Sequence, residues 1–152
     1  MQYGHFDNAA REYVIDRVDL PVSWTNYIGL KDMLGVFNHT AGGYLLYKSP
    51  EYHRITRFRP NGVPMDFPGH YIYLRDEEDG DYWSVSWQPV GKPKEHYSCR
   101  HGLSYVKYLC DYSGIDASQT LFVAVDDPVE IWDVRLRNSS DRPRTLSVYS
   151  YL

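Results

Sequence analysis

The sequence predicts an all-β protein, an antiparallel β-sandwich made of many short strands. Three observations carry that expectation. Aromatic and β-branched residues alternate with polar ones in short runs, which suits a half-buried pleated surface. Gly, Pro, Asn and Asp interrupt these runs at short intervals, as turns require. Helical periodicity is nearly missing: Leu30 to Phe37 alone has room for a turn or two of helix, with Gly29 and Gly35 flanking or interrupting it.

Taken in order, strands are expected at Glu12–Asp16, Gly43–Lys48, Arg54–Phe58, His70–Arg75, Tyr82–Trp87, Leu103–Tyr112 and Ile115–Val125. Asn61-Gly62, Asp79-Gly80, Ser113-Gly114 and Asp126-Asp127-Pro128 supply turns between them. In the run Ile131 to Arg137, Trp132, Val134 and Leu136 share one face, while Asp133, Arg135 and Arg137 share the other. A period of two sends the first set to a core and the second to water. Leu146, Val148, Ser150 and Leu152 repeat the pattern, alternating with Thr145, Ser147, Tyr149 and Tyr151. Between these runs, Asn138-Ser139-Ser140-Asp141-Arg142-Pro143 is suited to turn the chain, so the two are expected to pair as an antiparallel hairpin. Alternation still runs at Ser150–Leu152, so residues 1–152 are expected to be one β-sandwich segment, incomplete at its carboxy-terminal side.

Composition narrows the function classes. The chain has 152 residues, of which 43% are apolar and 15 are Tyr, with a net charge of −4. This describes a soluble globular segment and argues against disorder and against a basic nucleic-acid binder. No run approaches the roughly 20 apolar residues that span a bilayer. Cys99 and Cys110 are the two cysteines, and the amino terminus carries His5, Asp7, Arg11 and Glu12 where a signal peptide needs an apolar stretch. A cytoplasmic protein with reduced thiols is the expectation.

Several groupings invite chemistry. Asp76-Glu77-Glu78-Asp79-Gly80-Asp81 gathers oxygens but lacks the ligand order of a calcium loop, so a solvated hairpin tip is the preferred reading. Arg57 and Arg59, with His53 and Arg54, are able to grip phosphate or sugar hydroxyls, though alternating Arg is also common on the wet face of a sheet. Trp83 and Trp87 fall on one face of a strand; stacked against a pyranose they would bind sugar, and turned inward they would be core, the preferred reading. Cys99 and His101 are two apart, but no third group orients them as a dyad. Asn38 to Tyr44 is a glycine-hinged turn without the phosphate-loop pattern, and no catalytic set emerges.

The stretches YGHFDNAAREYVI (3–15), HTAGGYLLYKSPEYHRITRFRPN (39–61), PGHYIYLRDEEDGDYWSVSWQPV (68–90), CRHGLSYVKYLCDYSGI (99–115) and EIWDVRLRNSSDRPRTLSVYSYL (130–152) cover most of the chain. Together they resemble the amino-terminal part of the inverting glycoside phosphorylases of glycoside hydrolase family 94. FRPN, PGHYIYLRD and SVSWQPV are similar to the N,N′-diacetylchitobiose enzymes, and Gly62-Val63-Pro64-Met65-Asp66 to the cellobiose enzymes.

The resemblance implies a galactose-mutarotase-like supersandwich, with an (α/α)6 catalytic barrel that this segment lacks. It implies phosphorolysis of a β-linked disaccharide to an α-sugar 1-phosphate and a free sugar. Inorganic phosphate is then a co-substrate, and no cofactor is implied. A homodimer is also implied, with the sandwich lying near the partner's active site. No catalytic residue carries over. Asn38, Thr40, Tyr47, Arg57, Arg59, Trp83 and Trp87 are the candidates for a substrate edge or dimer contact. The competing expectation is a stand-alone carbohydrate-binding β module without catalysis.

Overall fold

The computed structural model describes residues 2–56 and 68–152. Twelve strands are assigned among the described residues: β1 (His5–Asp7), β2 (Glu12–Ile15), β3 (Thr25–Ile28), β4 (Met33–Asn38), β5 (Gly43–Tyr47), β6 (Tyr71–Asp76), β7 (Tyr82–Ser84), β8 (His96–Gly102), β9 (Tyr105–Tyr112), β10 (Ile115–Val123), β11 (Glu130–Asn138) and β12 (Leu146–Tyr151). A six-stranded antiparallel sheet runs β1-β2-β8-β9-β10-β11, and two three-stranded antiparallel sheets run β12-β6-β7 and β3-β4-β5.

One apolar cluster joins all three sheets. Cys99, Val106, Tyr108, Cys110, Ile115, Ala117 and Leu121 come from the large sheet, Tyr71, Leu74 and Trp83 from the second, and Ile28, Phe37 and Leu45 from the third. The small sheets therefore share a core with the inner face of the large one, which makes the fold an all-β sandwich. The period of two is clearest in β10, where Ile115, Ala117, Gln119, Leu121 and Val123 are buried and the residues between them are half-buried. Gln119 is the polar exception; its Nε2 donates to the His70 carbonyl at 2.9 Å and ties the large sheet to the residue that leads into β6.

The structure corrects two expectations. Leu30 to Phe37 contains no helical turn; Met33, Gly35 and Phe37 point inward along β4. Gly35 belongs there because a Cβ would lie 2.6 Å from the Phe37 ring and 2.8 Å from Ile28 Cγ1. Nor do the last two long runs form a hairpin. β11 pairs with β10 (Val134 opposite Gln119), whereas β12 pairs with β6 (Val148 opposite Leu74). The Asn138–Pro143 turn is real: Asn138 Nδ2 donates to the Arg142 carbonyl at 2.7 Å, but the turn carries the chain from one sheet to the other. The buried Arg144–Asp76 ion pair and the stacked Tyr71 and Tyr151 rings, 6.2 Å apart, hold β12 on β6.

Boundaries differ too. β7 ends at Ser84, and the Leu103–Tyr112 run begins in a tight turn before β9. Arg54 makes one isolated bridge to Leu46, while the rest of its run from Arg57 onward, with Asn61-Gly62 and Gly62 to Asp66, lies outside the described residues. Trp132 and Val134 pack partly against the core, but Leu136 stays 39% exposed because β11 is an edge strand.

Candidate functional site

A surface cleft of about 790 Å3 opens where the β1–β2 hairpin, the start of β3 and the β8–β9 turn meet. Its apolar wall is Phe6, Tyr13 and Trp24: Phe6 stands edge-on to Tyr13 at 4.8 Å, and Tyr13 lies 5.5 Å from Trp24. Its polar wall holds Asp7, Asn8, Arg11, Glu12, Asn26 and His101.

Local chemistry builds each wall. Asp7 Oδ1 accepts from the Ala10 amide at 3.0 Å, closing the hairpin turn, and Arg11 takes a left-handed φ of 58° to re-enter β2. Across the sheet Arg100 Nη1 donates to Glu12 Oε2 at 2.8 Å and to Asp7 Oδ2 at 3.3 Å, while the Tyr105 hydroxyl donates to Glu12 Oε1 at 2.6 Å. Asn26 Nδ2 donates to the carbonyls of Gly102 and Tyr105, each at 2.9 Å, seating the β8–β9 turn against β3. Gly102 lies directly under the Tyr105 ring, and a Cβ there would fall 2.1 Å from it, so a larger residue would displace the ring.

Those bonds set the charge state. The Ala10 amide, followed by Arg100, holds Asp7 below the usual carboxylate range despite partial desolvation. Burial pushes Glu12 up, but Tyr105 and Arg100 outweigh it and its carboxyl stays lowered. Tyr105 is pushed up to about 12, by burial first and by Glu12 next. His101, whose Nε2 is buried without a hydrogen-bond partner, is held down at about 4 by burial and then by His39. Both carboxylates are ionised and engaged by Arg100 and Tyr105.

The residues singled out from sequence lie elsewhere and apart. Asn38 organises the turn after β4: its Oδ1 accepts from the amides of Thr40 and Gly42, both at 2.9 Å, and from Thr40 Oγ1 at 3.1 Å. Thr40 is buried, and the Asn38 carbonyl accepts from the Tyr108 hydroxyl at 2.8 Å, so this turn is fastened to the core. Tyr47 ends β5 with the Lys48 amine 5.1 Å over its ring, and lines a small crevice with Lys31, Asp32 and Asp126. Arg57 and Arg59 lie outside the described residues. Trp83 is fully buried against Tyr112, with ring centroids 5.0 Å apart; Trp87 is half-buried in the turn beyond β7 at a φ of 70°.

Neither metal nor thiol chemistry is assembled among the described residues. In the acidic run Asp76 pairs with Arg144, Glu77 with Arg75, Glu78 with Arg142 and Asp81 with Lys92, so most of its carboxylates are already engaged by cations. Among the described residues no three His, Cys, Asp or Glu side chains converge as a metal ion needs. Cys99 is buried, and burial raises its thiol well above the usual range, so no thiolate stands beside His101. A second polar cluster, His70 with Nδ1 2.9 Å from the Glu130 carboxylate, is 1% and 7% exposed and sealed by Phe37 and Trp132. Sequence reasoning from single segments missed the aromatic cleft because Phe6, Trp24 and Leu103 come from three distant segments.

The class is thus an all-β sandwich domain with a lined surface cleft and no catalytic set among the described residues. Residues 11–152 match the family model for the glycosyl hydrolase 94 supersandwich domain, and the chain belongs to that family. The whole chain is 57% identical to the N,N'-diacetylchitobiose phosphorylase of Vibrio furnissii, covering 19% of that enzyme. Over 99% of its length it is 37% identical to the solabiose phosphorylase of Paenibacillus borealis, covering 20% of it. Over 97% it is 33% identical to a 3-O-beta-D-glucopyranosyl-beta-D-glucuronide phosphorylase of the same organism. The chain therefore spans about a fifth of the length of the curated relatives it matches. No helix among the described residues is long and apolar enough to cross a membrane.

Proposed function

We propose that this segment is the sandwich portion of an inverting β-disaccharide phosphorylase whose substrates are N,N′-diacetylchitobiose and inorganic phosphate. The 57% identity across the whole chain to a chitobiose phosphorylase carries this reading, since the solabiose relative falls to 37%. In the reaction, phosphate oxygen bonds to the sugar C1 as the glycosidic bond breaks, and one acid protonates the departing oxygen. An inverting hydrolase needs a second carboxylate to activate water; phosphate arrives already anionic, so a single general acid suffices.

The described residues offer neither that acid nor a phosphate cradle, so the sandwich acts as scaffold and the reacting groups belong to the longer polypeptide. No cofactor is needed beyond phosphate as co-substrate. A cytoplasmic location fits this reading because the two cysteines are unpaired, and a homodimer is what the family resemblance implies.

The test is to incubate the full-length polypeptide bearing this segment with phosphate and N,N′-diacetylchitobiose and follow sugar 1-phosphate by phosphorus NMR. Formation of an α-1-phosphate with release of free sugar is expected, faster than from cellobiose. No sugar phosphate from either disaccharide would overturn the proposal. Sedimentation of the same sample tests the dimer.

A further inference from the structure

Lys94 and Trp83 meet in the core with no acceptor between them. Lys94 ends the strand-free stretch 91–94 that leads toward β8, and its Nζ is buried with no hydrogen-bond partner. That Nζ stands 4.7 Å over the Tyr112 ring and 6.0 Å from the Trp83 ring. Trp83 is wholly buried, and its Nε1 is likewise a donor without a partner. Two donors cannot bond each other, so whatever joins them must accept from both. Leaving them unmet costs free energy, most of all for an ammonium.

The charges around this corner do not supply that acceptor. Asp81 already accepts from Lys92 Nζ and, at 2.9 Å, from the Tyr112 hydroxyl. Lys92 itself lies 5.0 Å from the Tyr82 ring and 5.8 Å from the Tyr112 ring, so two ammonium groups flank one tyrosine. Burial brings the Lys94 amine down to about 8; Cys110 and Asp81 oppose this and Lys92 adds to it. Near neutral pH a sizeable share of the amine therefore carries a free lone pair, which an exposed lysine does not. A water could accept from both donors, but it would leave the ammonium charge unpaired.

We infer that Lys94 is a carbon dioxide site, its amine adding dissolved CO2 to become a carbamate held by Trp83 Nε1 and the Lys92 ammonium. The Nζ lone pair bonds to the carbon, one C=O π pair moves onto oxygen, and a proton leaves Nζ for solvent. No oxidant or reductant takes part. A donor without an acceptor becomes a carboxylate that accepts, so the indole N–H gains a partner and the buried positive charge disappears. CO2 is small and uncharged enough to reach a buried amine. The adduct would fasten the stretch 91–94 to β7.

The test holds the full-length polypeptide in carbon-13 bicarbonate near pH 8, fixes carbamates as esters with a trialkyloxonium salt, and maps them by peptide mass spectrometry. A labelled adduct is expected on Lys94, several-fold above that on Lys31 and Lys48, although their side chains are 62% and 56% exposed. Trp83→Phe, which keeps a ring and removes the N–H, should lower the Lys94 adduct several-fold, and Lys92→Gln should do the same. No adduct on Lys94, or one no greater than on Lys31 and Lys48, would overturn the inference. An adduct that both variants leave unchanged would overturn it too, since Trp83 and Lys92 would not be holding it. The comparison of lysines uses the unsubstituted protein, so it decides the matter even where a variant fails to fold. Sugar 1-phosphate formation plays no part in the readout, which is independent of the phosphorylase reading.

Discussion

Arg144 and Asp76, 68 positions apart in the chain, form a buried ion pair: Arg144 Nε donates to Asp76 Oδ2 at 2.9 Å, and the side chains are 4% and 1% exposed. Arg144 Nη1 also donates to the Ser113 carbonyl at 2.7 Å, so one guanidinium joins β12 and β6 to the β9–β10 turn. Removing one partner of such a pair leaves the other charged and desolvated. Arg144→Ala should therefore lower Tm by roughly 10 °C. Calorimetry checks the Tm, and faster hydrogen exchange confined first to Leu146–Tyr151 checks the assignment to β12. Arg144→Lys should recover only part of the loss, because a single ammonium cannot reproduce the forked geometry.

Trp83 and Trp87 should respond differently to truncation. Trp83→Ala opens a cavity in the shared core, where the ring is wholly buried, and should cost about 3–5 kcal/mol in urea unfolding. Trp87→Ala, at a half-buried turn, should cost clearly less. Equal losses would mean that Trp87 is as much a part of the core as Trp83.

Cys99 and Cys110 should be silent toward thiol reagents in the native protein. Burial raises the Cys99 thiol well above its usual range and Cys110 to about 11, so neither presents a thiolate at pH 8. Titration with a chromogenic disulfide should show no fast-reacting thiol from this segment until guanidinium is added, and two thereafter.

Acid should weaken the fold before the carboxylates titrate. His101 is held down at about 4 in the folded protein against about 6.5 in an unfolded chain, and His39 shifts in the same direction through burial. Between those values the unfolded chain binds the proton that the folded one refuses, so stability is full above about 6.5 and declines as pH falls toward about 4. The urea midpoint should fall between about pH 7 and about pH 4.5, and His101→Gln should flatten part of that slope.

The all-β class was legible in the sequence because strand alternation is local: side chains i and i+2 share a face whatever the strand pairs with. The alternation of Ile115–Val123 marks an inward and an outward face without any knowledge of its neighbours. The resemblance to glycoside hydrolase family 94 was legible for the same reason, since it rests on contiguous words such as YGHFDNAAREYVI and PGHYIYLRD. The strands at His5–Asp7, Thr25–Ile28 and His96–Gly102 were not expected, being short or poor in β-branched residues, and they take their order from partners elsewhere in the chain.

Pairing and the cleft were decided only in three dimensions. The Asn138–Pro143 turn allows a hairpin equally well, and Arg144 meeting Asp76, with Tyr151 stacked on Tyr71, holds β12 on β6 instead. Gly35 interrupted the one helix candidate in the sequence, and only the closure of Phe37 and Ile28 over it shows why β4 has no room for a side chain there. The cleft needs Phe6, Trp24 and Leu103 at one end of the sandwich, an arrangement no spacing along the chain encodes. Local alternation sets which way a side chain faces; which distant side chain it meets depends on how the sheets pack, and that is a property of the folded chain alone.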